Sequence, residues 1–356
     1  MEKCPDQIME LRWIRILLII IAVPVIVLIL KTLATVFIPL LFAVFISFVF
    51  APMRTWLAKR KVPLWINIGL MVLVILVVFA LVGGLVYAAV VGFIQQMPKY
   101  QAKMVESFNS LEASLSQLSA QLDIAFAKIP NFDSSQLFRS TDLSVTKLLT
   151  GTMGSFMSFG STAFLTAIIL LFMVTGAGKL EQRLKNVMNE EENRQTLDTI
   201  LRIEAQIQRY FANKSLISLM TAVVGMIVLW IFGVDFVIVA GLLIFTMNFI
   251  PNIGSIIATA FPLLVCLLQY GFDFRVVAVA ALLMGSEMFF SNYLEPKYMG
   301  QKLNLNPIVI LVSLVFWGYV WGIVGMIFAV PIMSSLNIIL KQMDERSLIS
   351  AIISDK

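Results

Sequence analysis

Glu287 is a carboxylate set in the apolar run Phe274–Tyr293, with Ser286, Ser291, Asn292 and Glu295 beside it. On an α-helix residues four apart share a face, so Glu287 and Ser291 are neighbours and Glu295 lies a turn further on. Eight helical residues, about 12 Å, separate Glu287 from Glu295 near the end of the run, which makes Glu287 the deepest carboxylate expected. A carboxyl in apolar surroundings favours its neutral form. Glu287, with Glu295 behind it, is therefore a candidate proton or cation carrier. The plainer reading is an interfacial glutamate bonded to a serine.

A second polar group interrupts a longer apolar run at Asn248-Phe-Ile-Pro251-Asn252-Ile-Gly254-Ser255. Pro251 cannot donate a backbone bond, Gly254 permits positive φ, and the asparagines can satisfy freed backbone groups. Broken helices of this kind supply carbonyls and helix ends to solutes in transporters. Asn248, Asn252, Ser255 and Asn292 are the candidate pathway contacts, and Pro251 and Gly254 the break; the plainer alternative is a kink satisfied by neighbouring helices. A third group, Gly318-Tyr-Val-Trp-Gly322 with Gly325 and Pro331, has the small-residue spacing that lets helices approach closely. Gly318, Gly322 and Pro331 are the candidate breaks of that second long run, although the spacing marks packing more often than a gate.

Composition removes most other chemistry. The chain contains no histidine, so Ser/His/Asp and Cys/His catalysis, imidazole proton relays and His-ligated zinc are excluded. Cys4 lies in a charged tail and Cys266 in an apolar run, so neither a disulfide framework nor a thiolate metal site is expected. Gly176-Ala-Gly178-Lys179 superficially suggests a phosphate loop, but Met173 and Leu180 stand where the first glycine and the Ser/Thr must be. No enzyme, cofactor, metal or nucleic-acid partner is expected. The formal charge of +5 fits basic residues facing the cytoplasm and anionic lipid.

The elements that must position these groups are membrane helices. Of 356 residues 60% are hydrophobic and only 13% charged, with a mean hydropathy of +0.93, far from a soluble composition. A crossing helix needs roughly 20 apolar residues. Eight runs qualify: Trp13–Leu30, Leu33–Ala51, Leu64–Ile94, Thr152–Val174, Ser215–Gly233, Phe236–Tyr270, Phe274–Tyr293 and Leu305–Leu340. The sixth and eighth are too long, since either as a straight helix would exceed about 50 Å. Each must break, tilt or fold back. The expected fold is an all-α integral membrane protein of about eight transmembrane helices, with two broken or re-entrant segments and an amphipathic extracytoplasmic helical segment.

The expected organisation is three spans in 1–94, the extracytoplasmic segment in 95–150, a fourth span in 151–178, cytoplasmic amphipathic helices in 179–214, a transport bundle in 215–341 and a cytoplasmic tail in 342–356. Most lysines and arginines then fall on one side, which places both termini in the cytoplasm. In the outer segment Met104, Phe108, Leu111, Leu115, Leu118 and Leu122 repeat at heptad spacing, as a seam against its own subunit or between copies would.

At Asn248-Phe-Ile-Pro-Asn-Ile-Gly-Ser255, Leu294-Glu-Pro-Lys-Tyr-Met-Gly300 and Phe316-Trp-Gly318 with Gly322, Gly325 and Pro331, the chain resembles the autoinducer-2 exporter family. Phe37-Ile-Pro39 and Tyr210…Lys214 extend the likeness over nearly the whole length. The resemblance implies a multi-pass protein of the bacterial inner membrane that exports a small hydrophilic solute, the quorum signal autoinducer-2. It also implies a homo-oligomer, a pentamer by that reading, in contact with membrane lipid. Some relatives resemble sodium(lithium)/proton antiporters, a role in which Glu287 would be the carrier in this chain; relatives commonly have an amide at that position, and the carboxylate here departs from them toward proton or sodium coupling. A non-transporting membrane scaffold, recruiting partners through the outer helix, is the alternative of another class.

Overall fold

The computed structural model describes residues 5–50, 53, 56–57, 59–122, 154, 157–176, 191–299 and 305–343. Every extended element among them is a helix. In chain order these are α1 (Pro5–Thr32), α2 (Ala34–Val49), α3 (Leu64–Leu122), α4 (Met157–Gly176), α5 (Glu191–Ile231), α6 (Val237–Met247), α7 (Ile253–Tyr270) and α8 (Phe274–Phe289). A π-helical turn, Phe290–Leu294, joins α8 to the short α9 (Glu295–Met299), and α10 runs over Pro307–Met343. The outward faces carry large apolar side chains such as Ile20, Ile21, Leu81, Phe172 and Trp230, a surface suited to lipid and not to water.

Six described helices are long and apolar enough to cross a membrane, and the bent pair Ile20–Thr32 and Ala34–Val49 makes seven. The first two apolar runs thus form one pair, bent by 73° at Leu33. The break falls beside Lys31 and Thr32, whose hydroxyl donates back to the Leu28 carbonyl at 2.8 Å. α3 continues without interruption from lipid-length apolar sequence into the polar stretch beyond it. The heptad seam lies largely outside the described residues, since the side chains of Phe108, Leu111, Leu115, Leu118 and Leu122 and residues 123–153 are not described; 177–190 and 344–356 are likewise outside them.

The contacts divide the chain into two units, each drawn from separate segments. The first comprises Met1–Leu70, Thr162–Gln208 and Gln301–Lys356. Within it α10 leaves helical geometry at Trp321 (φ −127°, ψ 15°) and Gly322 (φ 64°, ψ −144°). The Ser313 hydroxyl donates to the Ala329 carbonyl at 3.3 Å, although sixteen residues of straight helix would separate them by about 24 Å. The arms 307–320 and 323–343 therefore fold back on each other. A Cβ at Gly325 would lie 1.9 Å from the Trp317 carbonyl oxygen. The turn is fastened to the α1–α2 bend by the Trp321 indole, which donates to the Leu30 carbonyl at 3.0 Å and stacks on Phe37. Gly318 and Pro331 both stay inside helical backbone, so the reversal rests on Trp321 and Gly322.

The second unit comprises Met71–Ser161 and Arg209–Gly300. Val228 and Leu229 of α5, Ala240 of α6, Val265 and Cys266 of α7, and Val279 and Leu283 of α8 form one core. α6, at eleven residues, is too short to cross. The chain reverses through Asn248–Asn252 and packs α7 back along α6. At the opposite end of α6, Asp235 accepts the Tyr100 hydroxyl at 2.9 Å and its amide donates to Gln269, pinning the base of the hairpin to α3.

The tip of this hairpin depends on Gly254. Its amide donates to the Ile250 carbonyl at 3.1 Å, and a Cβ there would sit 1.8 Å from the Met247 carbonyl oxygen. The obstacle is backbone, which no rotamer change removes. Gly254→Ala should therefore destabilise the protein by about 2 kcal/mol or more, read as a lower melting temperature in detergent. Gly285→Ala, where a Cβ meets nothing within 4 Å, should be neutral or stabilising by up to about 1 kcal/mol. Equal melting of the two variants would show that the tip relaxes freely.

Candidate functional site

Lys214, Ser218, Thr221 and Gly225 recur on α5 at intervals that keep them on one face. The three side chains are buried. At Gly225 the missing side chain leaves room for two neighbours: a Cβ there would meet Ile244 of α6 at 2.7 Å and Leu283 of α8 at 3.6 Å. At the other end of the stripe, the Lys214 ammonium binds both oxygens of Glu295, at 2.7 and 2.8 Å. These two anchors run in opposite directions along the chain, Gly225 against Leu283 and Lys214 against Glu295. Glu287, one turn beyond Leu283 on the same face, therefore stands level with Ser218 and Thr221.

The π turn makes this alignment possible. Eight residues separate Glu287 from Glu295, which overshoots two α-turns by about 80°. A π turn takes one residue more than an α turn. Here the Glu295 amide donates to the Phe290 carbonyl, five residues back. The additional residue absorbs the overshoot and returns both carboxylates to one face.

Glu287 is 6% exposed, and among the described residues neither carboxylate oxygen has a hydrogen-bond partner; the Ser218 hydroxyl, fully buried, has none there either. The charges of Lys214 and Glu295 both act on Glu287. Lys214 and Glu295 already neutralise each other. An ionised carboxylate buried without a hydrogen bond is costly, and a proton or a small cation removes that cost. The donors here are oxygens, a set suited to hard ions. Among the described residues, no group of three or more His, Cys, Asp or Glu could hold a metal ion.

The α6–α7 break reaches the same stripe. Asn248 is buried, and its side-chain amide donates to the Thr221 hydroxyl at 3.4 Å; Thr221 in turn donates to the Ile217 carbonyl. The structure thus brings Asn248, Glu287 and Glu295 to one buried seam. It does not bring the other polar candidates there. Asn252 is exposed at the tip with φ 61°, Ser255 turns its hydroxyl back to the Asn252 carbonyl at 3.0 Å, and Asn292 is exposed in the π turn. Pro251 lies in the connecting turn and Gly254 in the first turn of α7, while Gly318, Gly322 and Pro331 belong to the other unit.

Lys214, Ser218 and Thr221 are the site residues that sequence reasoning passed over. Lys214 sits at the edge of a charged amphipathic stretch, where its charge reads as one more inner-face cation, and a boundary drawn between 214 and 215 separates it from the hydroxyls. α5 has no such boundary. The signal was the spacing from Lys214 through Ser218 and Thr221 to Gly225, a polar stripe entering an apolar run.

Residues 16–345 match the family described as AI-2E family transporter. A Haemophilus influenzae protein is 31% identical over 350 residues, covering 96% of each chain. YhhT of Escherichia coli strain K12 is 28% identical over 305 residues, covering 86% of this chain and 84% of its own. The AI-2 transport protein TqsA of the same strain is 26% identical over 322 residues, covering 90% of each. A folded-back pair of helices in each unit, a buried polar seam in one of them and this match over most of its length make the chain a membrane transporter of the AI-2E family.

Proposed function

We propose that the protein exports a small hydrophilic solute of the autoinducer-2 type across the bacterial inner membrane, as a homo-oligomer with both termini in the cytoplasm. The observation that carries this reading is the buried seam itself. An asparagine from a broken helix lies on one buried hydroxyl of α5, and a second buried hydroxyl and a buried carboxylate remain unpartnered among the described residues, in an apolar setting where polar groups are costly unless they serve a solute or an ion. The name of TqsA supports the choice of solute, because a small hydrophilic molecule offers the hydrogen-bond partners that Ser218 and Glu287 lack among the described residues. Asn252, Ser255 and Asn292 would line the more exposed approaches. The excess of lysine and arginine on one side supports the orientation. The heptad spacing from Met104 to Leu122, with the family resemblance, supports the oligomer, a pentamer in that reading.

Release of labelled autoinducer-2 from loaded cells tests the reading. Thr221→Val keeps the shape of the side chain and removes the hydroxyl that meets Asn248, so export should fall about tenfold, the effect of about 1.4 kcal/mol at one hydrogen bond, at unchanged membrane abundance. Asn252→Leu is the weaker probe, because positive φ at that position strains any β-carbon chain. Equal retention with and without the wild-type protein would remove autoinducer-2 as the solute. Full export by both Thr221→Val and Glu287→Gln would remove the buried seam as the pathway.

A second reading, sodium(lithium)/proton antiport, is favoured by the unpartnered oxygens of Glu287. It predicts sodium-induced proton movement in everted vesicles loaded with a pH-sensitive dye, abolished in Glu287→Gln. The same movement in the variant would sink it.

A further inference from the structure

One ammonium faces two carboxylates, and the carboxylates differ in their access to water. The Glu295 side chain is 22% exposed, the Lys214 side chain 4%, and Glu287 is 6% exposed with both oxygens unpartnered. Lys214 spends two contacts on Glu295, at 2.7 and 2.8 Å, and an ammonium has three donors. The geometry points to Lys214 as a shared counter-ion that binds Glu295 while Glu287 is neutral and turns to Glu287 when Glu287 is ionised, so that a proton at Glu287 holds α9 against α5. The inference rests on the reading of Glu287 as the coupling group and adds the residue through which it acts.

The choice of partner follows from solvation. When Glu287 is neutral, the Lys214–Glu295 pair is complete and nothing competes for the ammonium. When Glu287 ionises, two carboxylates share one cation. Glu295 can exchange the ammonium for water because part of it is already exposed; Glu287 cannot. The buried carboxylate therefore wins the cation. The lysine stem is flexible and carries a point charge with rotatable donors, which suits it to exchange between partners two helical turns apart.

The groups that act on Glu287 are few. Lys214 of α5 and Glu295 of α9 act on it; α5 also carries the buried phenol of Tyr210, near Glu295, and the exposed Arg209, while α9 carries the exposed Lys297, 6.0 Å from the Tyr293 ring. α6 and α7 contain no Asp, Glu, Lys or Arg. On α8 the other charged residue is Arg275, exposed near the far end and placed over Tyr270. Arg209, Arg275 and Lys297 are exposed, and among the described residues Lys214 is the one cation that acts on Glu287.

Among the described residues, the Lys214–Glu295 pair ties α9 to α5, and so does the Asn213 side-chain amide, which donates to the Tyr298 carbonyl at 3.0 Å. α9 is five residues long and follows a π turn, a backbone form of poor intrinsic stability. Loss of the ion pair leaves the Asn213 bond as the side-chain hydrogen bond between the two helices among the described residues. Ionisation of Glu287 thus loosens α9, and by linkage a loosened α9 makes Glu287 easier to ionise. Low pH closes the strap and high pH opens it.

Hydrogen exchange of the full-length protein in lipid nanodiscs, without solute and corrected for the intrinsic pH dependence of exchange, tests this directly. In the wild type, protection of residues 295–299 should fall about tenfold as pH rises through the titration of Glu287, a local opening of the size seen for marginal segments. In Glu287→Gln the segment should stay protected at every pH. In Glu295→Gln and in Lys214→Gln it should be unprotected throughout and insensitive to pH. A flat wild-type profile, or a pH response that survives Glu287→Gln, overturns the inference. If Glu287→Gln cannot be recovered folded, Lys214→Gln decides alone, since an α9 that still responds to pH without the ammonium is incompatible with the mechanism. The measurement needs no solute, so its outcome is separable from the export reading. Export lost with the pH response intact removes the function and leaves the strap; export intact with a flat response removes the strap alone.

Discussion

Every backbone amide and carbonyl in an apolar medium must find a partner within the protein, and this constraint governs both reversals of the chain. A helix can satisfy its own backbone only while it continues, so a run longer than the bilayer must stop in a way that leaves few groups exposed. In α6–α7 the stop is a tight turn in which the Gly254 amide returns to Ile250 and the α-carbon rests against the Met247 carbonyl. In α10 the same close approach occurs between Gly325 and the Trp317 carbonyl. In each case a glycine seven or eight residues beyond a carbonyl lets the second arm begin almost on top of the first. The aromatic contacts of Trp321 and the Tyr100–Asp235–Gln269 bonds then hold the hairpins at their tip and base respectively.

The hairpin of the second unit has a consequence for chemistry. Because α6 ends early, Asn248 stops at the depth of Thr221 instead of continuing to an interface, and the amide of a break becomes a neighbour of a polar stripe. The π turn has the complementary effect at the Lys214 end of the same stripe of α5. With regular α geometry Glu287 and Glu295 would diverge around the helix; one additional residue in the turn aligns them against Lys214 and the hydroxyls above it. Two departures from ideal helix, the α6–α7 reversal and the π turn after α8, are what assemble the seam.

Much of this was legible from the residues. The hydropathy of the runs gave the helices, excessive length gave the need for reversal, and Asn248 through Ser255 marked one turn. Glu287 stood out because a carboxylate in an apolar run is costly. The second turn was harder to place. Gly318, Gly322 and Pro331 all suggest a break, yet proline and glycine are tolerated inside membrane helices, and only Gly322 takes the positive φ that the reversal requires. Burial was not legible at Asn252 or Asn292, because sequence spacing ranks faces of a helix without saying which neighbour covers them. The spacing of Glu287, Ser291 and Glu295 placed the two carboxylates on successive turns, but Phe290–Leu294 carries no local signature of the π turn that removes the overshoot between them. Lys214 was obscured by its own charge, which at a predicted boundary reads as an inner-face cation.

The absence of histidine gives the seam its character. An imidazole can accept or release a proton while remaining hydrogen-bonded on its other nitrogen; a carboxylate in this position has no such second function, and its change of charge must be met by movement of something nearby. Lysine is the residue suited to that task, because its charge is compact and its stem flexible, whereas arginine would fork onto one carboxylate and stay there. A single ammonium between a half-wet and a dry carboxylate is then more than an ion pair. It has two arrangements whose balance is set by one proton, and one of them holds a five-residue helix in place while the other does not.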